Sequence, residues 1–247
     1  MILQSVKFRI IKIKFAELNV KEMDKFVFSD LNNIQNYIFD MDGTLINSSR
    51  EVMLCLKLAF QNAGVEIDES RLTSNIIGPP LKNIVEFVAE NIKDEAVIEQ
   101  VVCGFRTIYD HDENDTSYLY ENIYDWLISL NQRGKRLFLA TNKPTIPTLR
   151  LIKKLKLDMF EEIYTIDKYE GRDISKKEMI SEIIEKNGLN KSETIMVGDA
   201  LSDIKSAHSN EIAGIGVLWG YGDDKEPLKA LSDLVINLND LKGLVAN

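Results

Sequence analysis

The chain has 247 residues, of which 45% are hydrophobic and 28% charged, the balance of a globular protein with one large domain or one domain carrying an insertion. Its net charge of -9 opposes nucleic acid and anionic membrane surfaces as partners, and no apolar run approaches the length of a membrane span. Two cysteines, Cys55 and Cys103, fall in apolar helical patterns and are expected as buried free thiols. With the two histidines, His111 and His208, they are too few and too scattered for a zinc site.

Residues 1–35 read as an N-terminal extension. The stretch "VKFRIIKIKF" alternates and predicts an edge strand or an arm, with Lys7, Arg9, Lys12 and Lys14 on its outer face. It lacks the uninterrupted apolar core of a signal peptide, so the expected location is the cytoplasm. "NYIF" then predicts a buried strand leading to Asp40. Three helical patterns follow without a strand between them: "REVMLCLKLAFQNAG", "PPLKNIVEFVAEN" and "DEAVIEQVVCGFRTIYD". Residues 50–117 are therefore expected as a helical insert in a core made of residues 36–49 and 118–247. The connections near Asn47–Arg50 and in "HDENDTS", from His111 to Ser117, are its expected hinges. Beyond the insert, the runs "RLFLAT", "EEIYTI", "ETIMVG" and "IAGIGVLW" alternate with amphipathic helices. Continuous apolar runs in a βαβ order predict an α/β fold, a Rossmann-like parallel sheet with right-handed crossovers. Ligands of such sheets bind at the carboxyl ends of the strands, where Asp40, Thr141 and Asp199 all fall.

The polar residues at these ends suit phosphoryl chemistry. Asp40 can attack as a carboxylate nucleophile, and Asp42 can exchange a proton with the leaving oxygen and with water. Gly43 permits a sharp turn, and Thr44 and the amides beyond it can hold a phosphate oxygen. An Asx-type turn with solvated carboxylates is the plainer alternative. "VGDALSD" adds Asp199 and Asp203, and carboxylates converging on one rim suit Mg²⁺; helix capping is the alternative for this pair. Thr141 and Asn142 open a helix whose amides can bind an anion. Lys176 sits at another helix start, inside a capping-box pattern "SKKE". A cation there opposes the helix dipole, which makes sense for a phosphate clamp; Lys177 competes with it for that role.

In order, "DMDGTL", "LATNKP", the strand-following "SK" and "GDALSD" resemble the motifs of the haloacid dehalogenase superfamily, over roughly Asn36 to Gly222. The insert is similar to that superfamily's type-1 cap. "IGPPL" and "GVLWGYG" resemble its phosphoglycolate phosphatase-like members. The resemblance implies Asp40 as nucleophile and Asp42 as general acid/base. It implies Mg²⁺ bound by Asp40, the Asp42 carbonyl and Asp199 with support from Asp203, and the phosphoryl group bound by Thr141 and Lys176. Many relatives follow the third-motif lysine with proline, whereas Lys177 stands here.

The expected activity is a Mg²⁺-dependent phosphomonoester hydrolase with an aspartyl-phosphate intermediate and a small phosphorylated substrate. A nucleotide or pyrophosphate phosphatase, a sugar phosphomutase and a non-enzymatic phosphate-binding regulator are the alternatives. Gly78, Leu81, Lys82 and Arg106 in the insert are candidate contacts to the leaving group. Neither nucleic acid nor membrane is expected as a partner, and the chain is expected as a monomer or homodimer.

Overall fold

Asn36–Phe39 (β1) is buried at every position, and it occupies the middle of a six-stranded sheet in a computed structural model that describes residues 26–111, 116–221 and 225–246. Its neighbours are Arg136–Thr141 (β4) on one side and Thr194–Gly198 (β6) on the other. Glu162–Thr165 (β5) lies beyond β4; Ala213–Val217 (β7) and Leu234–Ile236 (β8) lie beyond β6. Every pairing in this sheet is parallel. The Rossmann-like core read from the apolar runs is therefore present. Successive side chains of a strand point to opposite faces, so Phe39 packs with Trp126 and Leu127 of Ile123–Gln132 (α4). Ile38 packs on the other face with Met179, Ile180 and Ile183 of Lys176–Asn187 (α6). The helix Leu238–Ala246 (α9) covers the first face beside α4, and Leu201–Ser209 (α7) covers the second beside α6. The remaining helices of the sheet region are Thr145–Leu155 (α5) and Glu226–Leu231 (α8).

Between β1 and β4 the chain forms Ser49–Asn62 (α1), Leu81–Val88 (α2) and Glu95–Asp110 (α3). Their apolar faces bury one another in a separate cluster that includes Cys55, Phe60, Val85, Val101 and Phe105. Burying side chains of this size contributes about 1.5–3 kcal/mol each, which gives the helices a core of their own. The chain enters and leaves this unit through Ile46–Asn47 (β2) and Tyr118–Leu119 (β3), which pair antiparallel, Asn47 opposite Tyr118. This ribbon was not foreseen; two-residue strands are too short to show a period. Most of "HDENDTS" lies outside the described residues, as does "VKFRIIKIKF". Of the expected extension, Phe28–Asn32 forms a 3₁₀ turn rather than a strand.

One expectation fails. Cys55 is buried, but Cys103 is exposed, and both thiols are free. The buried stripe of α3 is Ile98, Val101, Val102, Phe105 and Tyr109. Each residue advances about 100° around a helix, so Cys103 turns away from that stripe and its thiol lies 3.6 Å from Glu99. Among the described residues no helix is long and apolar enough to cross a membrane.

Candidate active site

Because β4, β1 and β6 are adjacent and parallel, their carboxyl ends deliver Thr141, Asp40 and Asp199 side by side. The Asp40 amide donates to the Val197 carbonyl at 2.9 Å, which continues the ladder to the point where the side chain emerges. Asp203 joins from the first turn of α7. One carboxylate oxygen from each of Asp40, Asp199 and Asp203 falls within 4.8 Å of the others, and all three residues are buried. The Lys176 ammonium lies 2.5 Å from Asp40 Oδ1 and 2.7 Å from Asp203 Oδ1. Ser175 and Glu178 cap that helix reciprocally, which fixes Lys176 at its first position. Lys177, one residue on, is exposed.

Three buried carboxylates stand together, two of them on the Lys176 ammonium, and the crowding shows in their acidity. Burial, countered by Lys176 and reinforced by Asp203 and Asp199, pushes Asp40 up to about 8. Burial and the Asp203 charge push Asp199 up to about 7 against a bond from the Tyr221 amide. Burial would lower the Lys176 ammonium, but the Asp203 and Asp40 carboxylates reverse that and raise it. A hard, oxygen-seeking divalent cation is the ligand that relieves such a set, so the donors present fit Mg²⁺.

Two glycines let the backbone close around the Asp199 carboxylate. A Cβ on Gly43, whose φ is +82°, would stand 2.3 Å from Asp199 Oδ2, and a Cβ on Gly220 would come equally close. The Tyr221 amide donates to Oδ2 at 2.8 Å and the Thr44 hydroxyl to Oδ1 at 3.2 Å. Thr44, read from the sequence as a phosphate contact, thus binds a carboxylate here. Asp203 accepts from the Ala200 amide at 3.1 Å, so it caps α7 as well as holding Lys176. The Thr141 hydroxyl accepts from the Lys143 amide at 3.1 Å.

Asp42 stands apart from the carboxylate cluster. Ser48 Oγ donates to its Oδ1 at 2.5 Å, and the Lys143 ammonium donates to Oδ1 at 3.1 Å and to Oδ2 at 3.3 Å. Ser48 also meets the Tyr221 hydroxyl, through its amide at 2.7 Å and its Oγ at 3.1 Å. Lys143, Ser48, Tyr221 and Tyr109 were not singled out from the sequence. Lys143 stands inside "LATNKP" and Tyr221 inside "GVLWGYG", so motif membership could have flagged both. Tyr109 belongs to the apolar stripe of α3 and carries no separate signal.

A cavity of about 450 Å³ opens over these groups and is lined by Asp40, Asp42, Thr141, Asn142, Lys143 and Lys176. Gly78, Leu81, Lys82 and Arg106 of the insert line the same cavity. Lys82 is exposed and ion-paired to Glu95 at 2.8 Å.

Residues 37–217 match the family model for haloacid dehalogenase-like hydrolases. A 5'-nucleotidase from Pseudomonas aeruginosa is 28% identical over 192 residues, 77% of this chain and 86% of the relative. A phosphoglycolate phosphatase from Agrobacterium fabrum is 29% identical over 190 residues, 75% and 81%. A tyrosine-protein kinase from Mycobacterium tuberculosis is 27% identical over 76% of this chain, which spans 63% of that relative's length. In structure, a haloacid dehalogenase-like family hydrolase from Streptococcus pneumoniae superposes with a TM-score of 0.74 at 24% identity, over 87% of this chain and 99% of the other.

Proposed function

This chain belongs to the haloacid dehalogenase-like hydrolases, and from that membership we propose that it is a Mg²⁺-dependent phosphatase of small phosphate monoesters that carries the phosphoryl group on Asp40. The observation that carries the reading is the Asp40 carboxylate at the end of the central strand, with the Lys176 ammonium 2.5 Å away. A carboxylate beside a fixed cation and at the mouth of a cavity is placed to attack a phosphorus atom whose oxygens the cation holds.

Asp40 and Asp199 would hold Mg²⁺ with the Asp42 carbonyl, and Asp203 would support them; the ion would neutralise charge on the nucleophile and the phosphoryl oxygens. Thr141, Asn142 and Lys176 bind and orient the phosphoryl group; the Gly43 and Thr44 amides donate instead to the Ile46 and Met41 carbonyls, at 2.9 and 3.3 Å. Asp40 attacks phosphorus while Asp42 gives a proton to the departing oxygen. Asp42 then takes a proton from the water that releases phosphate and restores Asp40. Residues 50–117 cap the cavity and exclude water from it. Gly78, Leu81, Lys82 and Arg106 contact the leaving group.

A screen of phosphorylated metabolites tests this: 2-phosphoglycolate, nucleoside monophosphates, sugar phosphates and pyrophosphate, each with Mg²⁺ and with EDTA. Release of phosphate that EDTA abolishes is expected. Binding of these esters without turnover would reject the reading in favour of a phosphate-binding regulator.

A further inference from the structure

The proposed chemistry asks Asp42 to hold a proton at one oxygen and to keep that oxygen on the leaving group. Among the described residues, its two oxygens are not equivalent. Oδ1 accepts from both Ser48 and Lys143, at 2.5 and 3.1 Å, whereas Oδ2 has only Lys143, at 3.3 Å. Oδ1 is thus the anchored oxygen and Oδ2 the one left for proton exchange. The Lys143 ammonium is the group that touches both.

Lys143 is unusual in its own right. Its side chain is only 3% exposed, against 18% for Asp42, and burying an ammonium without partners is costly. Its second partner comes from the other unit of the molecule. The ammonium donates to the Tyr109 hydroxyl on α3 and lies 4.5 Å from the centre of the Tyr109 ring, within cation–π range. On the core side that ring also meets the Arg150 guanidinium of α5, 5.6 Å from its centre. Arg150 in turn pairs with Glu51 of α1 at 2.6 Å. The insert therefore grips Lys143 through a tyrosine that is itself held in place.

We infer that Lys143 is the positioning residue of Asp42, and that Tyr109 makes this positioning depend on the insert being seated on the core. The inference rests on the phosphatase reading above. In the first step an Asp40 carboxylate oxygen forms a bond to phosphorus as the P–O bond to the leaving group breaks; that bond's electron pair passes to the leaving oxygen, and Asp42 Oδ2 delivers the proton there. In the second step water attacks phosphorus, its proton goes to Oδ2, and the bond to Asp40 breaks with its electrons returning to that carboxylate. No proton leaves Lys143 in either step; it holds Oδ1 while Oδ2 changes state. The same contact gives the insert a route to the chemistry that does not pass through the substrate.

Leaving-group dependence separates this role from phosphate binding or simple support. A nitrophenolate departs readily without a proton, whereas an alkoxide does not. The measurement is kcat/KM, which reports the steps up to the first departure, for p-nitrophenyl phosphate and for an alkyl phosphate. It is made on the full chain with Mg²⁺, for wild type, Asp42→Asn, Lys143→Met and Tyr109→Phe. Asp42→Asn is the reference and should lose about 10²-fold or more on the alkyl ester and much less on the nitrophenyl ester. Lys143→Met should follow the same gradient, with a loss about 10-fold greater on the alkyl ester. Tyr109→Phe keeps the ring and so tests the coupling even should Lys143→Met fail to fold. It should show the same gradient, smaller, and should add little to Lys143→Met in the double variant. Equal losses on both esters, or none, in Lys143→Met and Tyr109→Phe beside a graded Asp42→Asn would overturn the inference while leaving the phosphatase reading intact. An ungraded Asp42→Asn would instead remove the assigned role of Asp42, and this inference with it.

Discussion

Two ionic clusters, one at the strand ends and one at the seam with the insert, are built on opposite principles. At the strand ends three carboxylates gather, and Asp40 and Asp203 share the ammonium of Lys176. At the seam with the insert, each acid has its own cation: Asp42 has Lys143, and Glu51 has Arg150. The first cluster has an unbalanced charge and depends on a ligand to settle it. The second pairs each of these acids with a cation, one pair within the core and one between insert and core. Crowded carboxylates thus mark the proposed nucleophile and metal site, and paired charges mark the seam, where Asp42 also carries out its proposed proton transfer.

Removing a member should therefore have different consequences in the two clusters. The largest effect is expected for Asp40→Asn, which should reduce turnover about 10⁴-fold or more, as loss of a nucleophile does. The metal-free variant should melt no lower than wild type, because one of three mutually repelling carboxylates has gone. Steady-state assays and thermal melts on the same preparation check both halves. Near-normal turnover would end the assignment of Asp40 as nucleophile, and a sharp fall in Tm would end the view that the first cluster is strained.

In the balanced cluster the expectation reverses. Arg150→Met removes the guanidinium that lies 2.6 Å from the Glu51 carboxylate, whose side chain is 0% exposed. Breaking a buried pair in this way costs about 3–5 kcal/mol, far more than the loss of a surface ion pair. Denaturant unfolding measures it. A change within about 0.5 kcal/mol, the range of ordinary surface substitutions, would show that the seam does not depend on this pair.

The smallest effect sharpens the contrast through pH. In the fold Asp40 and Asp199 hold their protons up to about 8 and about 7, whereas the ordinary carboxyl value is 3.8. Between these values the unfolded chain binds fewer protons than the folded one, so metal-free stability falls as pH rises from about 4 towards about 8. Mg²⁺ takes the deprotonated carboxylates, so the rise in Tm that it produces should be greater at pH ~8 than at pH ~6, where protons already occupy part of the cluster. Melting curves with and without saturating Mg²⁺ at the two pH values check the sign. Equal shifts would show that these carboxyls do not govern the metal's contribution.

How far the sequence reached differs in the same way between the clusters. The strands were legible because both of their faces are covered, which leaves uninterrupted apolar runs such as "RLFLAT" and "ETIMVG". Asp40, Thr141 and Asp199 were legible because each follows such a run directly, and parallel strands bring their carboxyl ends to one rim. Lys176 was legible because a cation at a capped helix start is electrostatically misplaced unless something anionic faces it. The seam left no comparable trace. Tyr109 reads as one more apolar residue of a helical stripe, Glu51 as a first-turn acid, and Arg150 as a charge on an amphipathic helix; each has an adequate local explanation.

By itself, then, the sequence determined the parallel sheet, the helical insert and the residues that arrive at the strand ends, because periodicity and chain order act over a few residues at a time. Only the tertiary structure decided which neighbours those residues would have. It set the Thr44 hydroxyl on the Asp199 carboxylate at 3.2 Å. It buried Lys176 beside Asp40 and left Lys177 exposed, and it brought Lys143 of the core to Tyr109 of the insert. Such choices depend on distances between segments far apart in the chain. A buried charge selects its partner by proximity in space, where the low dielectric makes a missing counter-charge costly, and no local pattern records that distance.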